Sequence, residues 1–191
     1  MSKNPVQQIE HVTVIGAGAM GSQIAMVCAL AGYDTDVVDI AQEAVDRAAE
    51  QLRSRMDRDV SKGRRTREDV DAAFERMTFS TDRDECAAQA DFVIEAAVED
   101  LTIKRQVFAE LDAVCPEHTI LATNSSNIVS SRVADATNRP EKVCNVHFFN
   151  PALVMKCVEV VPNPATSPET VETAMALARS IGKEPVQLKK E

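Results

Sequence analysis

The chain has 191 residues, a formal net charge of −9 and 45% hydrophobic residues. That suffices for one domain, or one domain with a short appendage, burying roughly 70% of its unfolded surface. The acidic balance argues against nucleic acid as the main partner, no apolar run reaches the ~20 residues of a membrane span, and five widely spaced cysteines point to free thiols in a reducing compartment.

The polar start Met1–Glu10 shows no secretory or transit pattern, so a soluble, cytoplasmic protein is expected. The apolar run Val12–Ile15 then leads straight into Gly16-Ala17-Gly18-Ala19-Met20-Gly21 and a helical pattern over Met20–Ala31. In a strand-turn-helix setting the three glycines play different parts. Gly16 permits the tight turn, Gly18 lets backbone approach a pyrophosphate, and Gly21 allows close helix-strand packing. The pyrophosphate then rests on the helix N-terminus. A second run, Thr35–Val38, ends in Asp39, eighteen residues after Gly21. An acid there accepts hydrogen bonds from the adenosine ribose and repels a 2′-phosphate, and Ile40 and Ala41 offer no compensating cation. NAD is therefore expected rather than NADP, held by Gly16, Gly18, Ala19, Met20, Gly21 and Asp39. The bland alternative is a glycine turn in an ordinary α/β domain; FAD stays open, because flavoproteins begin similarly.

A helical pattern over Gln42–Asp59 runs into a basic stretch. Arg53, Arg55, Arg58, Lys62, Arg64, Arg65 and Arg67 face only Asp57 and Asp59 and make up a third of all Lys and Arg. This reads either as a solvated helix face and loop or as a site for a phosphorylated substrate tail. Further strands are expected at Met77–Ser80, Phe92–Glu95, Thr119–Ala122 and Val143–Phe148, and further helices at Arg67–Phe74, Leu101–Val114 and Ile128–Ala136. Such alternation signals a Rossmann-type, doubly wound, mainly parallel α/β sheet with the ligand at its carboxyl edge. After His147-Phe148-Phe149-Asn150-Pro151 the pattern changes. Lys156–Val161 forms a strand with no helix before it, which implies an antiparallel return and antiparallel strands at the C-terminal end. Ser167-Pro168 starts a helix, Gly182 stops it, and Pro185–Leu188 is a last short strand. For a dehydrogenase the end at Glu191 is early, and a truncated or split protein is expected.

Oxidation of a secondary alcohol needs a base, and neutral imidazole is well suited. His11 lies at the strand end away from the cofactor and His118 in a polar turn, whereas His147 ends a strand at the carboxyl side. If the antiparallel return pairs residues about Leu153, His147 falls opposite Glu159, and a His-Glu dyad follows; the alternative leaves Glu159 facing solvent on an edge strand. Asn124-Ser125-Ser126-Asn127 offers hydroxyl and amide groups at the same sheet edge, or simply a helix N-cap. No metal site is expected, since no Cys-x-x-Cys or His-x-x-x-His occurs.

Taken together, Gly16–Gly21, Asp39, Glu95-Ala96-Ala97-Val98-Glu99, Asn124-Ser125-Ser126 and His147–Pro151, followed by Met155–Val160, resemble the L-3-hydroxyacyl-CoA dehydrogenase family over essentially the whole chain. The resemblance implies that His147 is the base for alcohol oxidation with Glu159 as partner, and that Ser126 hydrogen-bonds the substrate's 3-oxygen. It also implies that Asn150 lies near the nicotinamide, that Glu99 and Lys104 line the cofactor site, and that Lys62 anchors coenzyme A phosphates. The family usually carries Asn-Thr-Ser-Ser where this chain has Asn-Ser-Ser-Asn, which leaves Ser125 as a rival hydroxyl. A helical C-terminal domain that closes the cleft and forms a homodimer lies, in the family, beyond the length of this chain. Residues 1–191 are accordingly expected to be the NAD-binding domain, binding NAD with poor turnover of the acyl-CoA substrate. The rival readings are a dehydrogenase of a free hydroxy acid, such as a sugar acid or carnitine, and a non-catalytic NAD-binding module.

Overall fold

The computed structural model describes residues 9–189 and 191, so most of the polar start, residues 1–8, lies outside the described residues. Six strands run parallel: β1 (His11–Ile15), β2 (Asp34–Val38), β3 (Met77–Ser80), β4 (Phe92–Glu95), β5 (Ile120–Thr123) and β6 (Val143–Phe148). β7 (Cys157–Pro162) returns antiparallel to β6, and β8 (Glu184–Gln187) lies parallel to β7. The sheet order is β3-β2-β1-β4-β5-β6-β7-β8. Winding therefore reverses between β1 and β4, and the crevice at that switch point is where open α/β sheets take ligands.

The central strands are apolar on both faces because both faces are covered by helices. Val12, Val14, Ile94, Ala122 and Val146 pack on one side against α1 (Ala19–Leu30), α2 (Gln42–Ser61) and α7 (Pro168–Ser180). Ile15, Val38, Val93, Leu121 and Val143 pack on the other against α4 (Arg83–Ala87), α5 (Leu101–Val114) and α6 (Ser131–Ala134). A third cluster, with Met26, Leu52, Met56 and Val70, joins α1 and α2 to α3 (Arg67–Glu75). Ser167 caps α7 by accepting from Thr170 N at 3.1 Å with Pro168 in the first turn, and Gly182, at φ +77°, ends it. By contrast, α1 begins at Gly18 with no side-chain cap.

Several elements depart from the sequence expectation, most by only a residue or two at their ends. The five-residue α4 is additional; Asp82 starts it by accepting from Glu85 N at 3.0 Å. The helix expected at Ile128–Ala136 contracts to Ser131–Ala134, because the chain before it turns around the Ser125 side chain, which accepts from Asn127 N and Ile128 N. The fifth strand begins one residue later than expected and ends at Thr123. No helix among the described residues is long and apolar enough to cross a membrane.

Candidate active site

The carboxyl ends of β1, β2, β4, β5 and β6 deliver the site. After β1 the chain turns at Gly16, φ +106°, whose N–H donates to Val38 O at 2.7 Å. A Cβ on Gly16 would stand 2.6 Å from Ala96 O, and one on Gly21 would stand 1.9 Å from Gly16 O, so both positions require the missing side chain. Gly18 differs: a Cβ there meets nothing within 4 Å, which leaves open space over the uncapped start of α1. With no acidic residue in that first turn, the amides of Ala19 and Met20 and the positive end of the helix dipole face an open cradle suited to a pyrophosphate. Asp39 holds the cradle closed at its far side, its Oδ2 accepting from Ala17 N at 2.9 Å and its Oδ1 from Ala41 N at 3.2 Å. Each oxygen retains a lone pair for ribose hydroxyls. These residues fit a dinucleotide.

Beyond β4, the loop carrying Glu99 is set by a buried ion pair. Lys104 Nζ lies 2.7 Å from Glu95 Oε1 and 3.4 Å from Glu99 Oε2, with Glu95 fully buried and Lys104 nearly so. Glu95 also accepts from Ala97 N at 2.7 Å and from Thr123 Oγ1 at 2.8 Å. Glu99 accepts from the Ser125 hydroxyl. Partial burial opposes its ionisation, but the Ser125 hydroxyl and the Lys104 ammonium together hold its carboxyl below the usual range. Lys104 thus reaches the site through Glu99 rather than as a bare ammonium.

The β6–β7 ladder pairs His147 with Glu159. His147 Nδ1 is 3.0 Å from Glu159 Oε2, and its Nε2 is 2.9 Å from Ser126 Oγ. Ser125, the rival hydroxyl, is buried and committed to Glu99 and to the turn, while Ser126 is exposed toward His147. Two asparagines to which the sequence alone assigns no individual role hold the two loops in place: Asn124 Oδ1 accepts from Phe148 N at 2.8 Å, and Asn145 Nδ2 donates to Ser125 O at 2.8 Å. The Phe149 ring lies 4.8 Å from the imidazole. Around Ser126, His147 and Glu159 a cleft of about 200 Å³ opens. Asn150 stands exposed in the turn after β6, before a cis bond to Pro151.

The other two histidines sit elsewhere. His11 pairs with buried Asp36 at 2.6 Å, and His118 with Asp91 at 2.7 Å. The basic stretch is less open than its composition suggests. Arg53 pairs with Asp71, Arg64 with Asp59 and Arg67 with Asp57, and Arg53 stacks 3.6 Å over the Phe74 ring. Lys62 is exposed at the C-terminal cap of α2, while Arg55 and Arg58 line a cleft of about 420 Å³ between α1 and α2 with Ser22 and Gln23.

A family model described as "3-hydroxyacyl-CoA dehydrogenase, NAD binding domain" matches residues 11–191. A probable 3-hydroxybutyryl-CoA dehydrogenase of Bacillus subtilis is 42% identical, with 95% of this chain and 63% of the relative aligned. A 3-hydroxyadipyl-CoA dehydrogenase of Escherichia coli is 44% identical, over 94% of this chain and 38% of the relative. The crystal structure of (S)-3-hydroxybutyryl-CoA dehydrogenase from Ralstonia eutropha superposes with a TM-score of 0.92 at 36% identity, covering 96% of this chain and 64% of that one. The chain thus spans less than two thirds of the length of these relatives. With the glycine cradle, Asp39 and the His147 cleft all inside the matched span, the chain belongs to the 3-hydroxyacyl-CoA dehydrogenase family, as its NAD-binding domain.

Proposed function

We propose that the chain is the cofactor-binding part of a dehydrogenase that interconverts L-3-hydroxyacyl-CoA and 3-oxoacyl-CoA. One observation carries this reading: the His147 ring is held at both nitrogens, Nδ1 by Glu159 at 3.0 Å and Nε2 beside Ser126 at 2.9 Å. When bound, NAD supplies the hydride acceptor for oxidation, and its reduced form the donor for the reverse direction.

The remaining work falls to the chain. Glu159 fixes the tautomer with the proton on Nδ1, which leaves Nε2 free to take the substrate's hydroxyl proton and to return it on reduction. The carboxylate also stabilises the imidazolium formed in between. Ser126 holds the 3-oxygen within reach of Nε2, and the Ser125–Glu99–Lys104 chain keeps Ser126 in place. Gly18, Ala19 and Met20 receive the pyrophosphate, Asp39 the ribose hydroxyls, and Asn150 the nicotinamide end. Arg55, Arg58 and Lys62 take the coenzyme A phosphates, with Arg55 and Arg58 lining the α1–α2 cleft. The length that relatives carry beyond the matched span supplies, in this reading, a helical domain that closes the cleft and joins two copies into a dimer.

The test is His147→Gln in the full-length enzyme, followed by NADH oxidation with acetoacetyl-CoA. Loss of about 10²-fold or more in rate with unchanged NADH affinity is expected. An unaffected rate removes His147 from the mechanism, and equal turnover of free acetoacetate removes coenzyme A from the substrate.

A further inference from the structure

A cleft of about 740 Å³ opens beyond β1, β2 and β4, with Asp39 and Ile40 on one wall, Asp82, Arg83 and Asp84 on a second, and Val98 on a third. Ile40 is fully exposed and Val98 is 61% exposed. Uncovered apolar side chains beside a carboxylate suit a flat heteroaromatic ring attached to a sugar, here the adenosine end of the dinucleotide. Three carboxylates line this cleft against one guanidinium.

That guanidinium commits three of its five N–H donors to two carboxylates. Arg83 Nε and Nη2 donate to Asp84 Oδ1 at 2.9 and 2.7 Å, and Nη1 bonds to Glu110 Oε2 on α5. Glu110 is itself braced, its Oε1 accepting from Gln106 Nε2 at 2.9 Å. The hydrogen bonds from Gln106 and Arg83 keep its carboxyl below the usual range, so the tether stays charged. Two carboxylates on one guanidinium leave this corner of the cleft with net negative charge, and each of its three nitrogens already donates to a carboxylate.

We propose that Arg83 and its tether Glu110 form a second determinant of cofactor choice. With its charge offset by Glu110 and Asp84, Arg83 offers little attraction to a 2′-phosphate, so discrimination against NADP rests on this tether as well as on Asp39. This rests on the NAD reading of the same site. Specificity of this kind works by withholding the favourable contact from the wrong ligand as much as by repelling it.

Dissociation constants for NAD+ and NADP+, measured by calorimetry on the 191-residue protein at low and high salt, test the proposal. Asp39→Ser should bring NADP+ affinity into a measurable range. Adding Glu110→Gln should tighten NADP+ by about five- to tenfold, leave NAD+ within twofold, and give a gain that shrinks as salt rises. Adding Arg83→Ala should cancel the gain. A change below twofold for NADP+ on adding Glu110→Gln overturns the proposal, as does a gain that survives Arg83→Ala, since that would be mere removal of a repelling carboxylate. Glu110 is a surface residue and glutamine preserves its shape; unchanged thermal unfolding separates a binding effect from misfolding. Failure of the unsubstituted protein to bind NAD+ would instead overturn the NAD reading, and the proposal with it.

Discussion

Lys104→Met probes the part of the site whose energetics are most sharply defined. Methionine keeps most of the length of the stem but removes the ammonium, which leaves the Glu95 carboxylate buried at 0% exposure without its 2.7 Å partner. Breaking a buried pair by removing one member costs about 3–5 kcal/mol, because the survivor's charge is uncompensated. Here the lower end applies, since Glu95 keeps hydrogen bonds from Ala97 N and Thr123 Oγ1. Urea unfolding followed by circular dichroism should show a loss of about 3 kcal/mol with an unchanged slope, and a fall in Tm of roughly 6–12 °C for a chain of this size. The double variant Glu95→Gln/Lys104→Met carries no buried charge and should recover at least about half of the loss. Lys104 also lies 3.4 Å from Glu99, which accepts from Ser125, so acetoacetyl-CoA binding should weaken more than NADH binding. A loss under about 1 kcal/mol, or a double variant no more stable than the single, would refute the idea that an ionised pair organises these loops.

Three further outcomes follow from the same geometry. Gly18→Ala should leave stability unchanged, because its Cβ meets nothing, yet weaken NAD by tenfold or more by filling the cradle; Gly21→Ala, with a Cβ 1.9 Å from Gly16 O, should unfold or severely destabilise the protein. In the full-length enzyme, Glu159→Gln should lower the rate by about 10–10³-fold with NAD affinity unchanged, and equal rates across the pH range would count against a charged partner for His147. His11 has its folded pKa raised above 6.5, chiefly by the hydrogen bond to Asp36 against desolvation, with Asp34 and Asp91 adding in the same direction. A raised folded value means that its contribution is fully present below pH 6.5 and is lost as pH rises through the folded value. His11→Gln should therefore flatten the stability profile in that window, measured by urea unfolding between about pH 5.5 and 8.5, and an unchanged profile would contradict it.

Features set by local rules were legible in the sequence. The glycine turn, Asp39 and the strand-helix alternation follow from backbone sterics and two-sided burial, and the structure carries them. The His147–Glu159 register was also readable, because a hairpin centred on Leu153 can pair 147 only with 159. What escaped depends on contacts distant in sequence. The choice between Ser125 and Ser126 turns on Glu99, 26 residues away, which engages one hydroxyl and leaves the other beside His147. The basic stretch looked unpaired because one of its partners, Asp71, lies beyond it on the next helix. The short α4 has too few residues for periodicity, although Asp82 three positions before Glu85 is a capping signal. The resemblance singles out Lys104 with Glu99, but its pairing with Glu95, buried at the end of β4, is not written in the helix pattern.

In the proposed function these residues hold NAD beside His147. Calorimetric titration of NAD+, then of acetoacetyl-CoA in the presence of NADH, into the 191-residue protein tests this most directly. Binding of NAD+, with acetoacetyl-CoA binding that weakens on Ser126→Ala, is the predicted result; absence of NAD+ binding by the folded protein would contradict the account at its root.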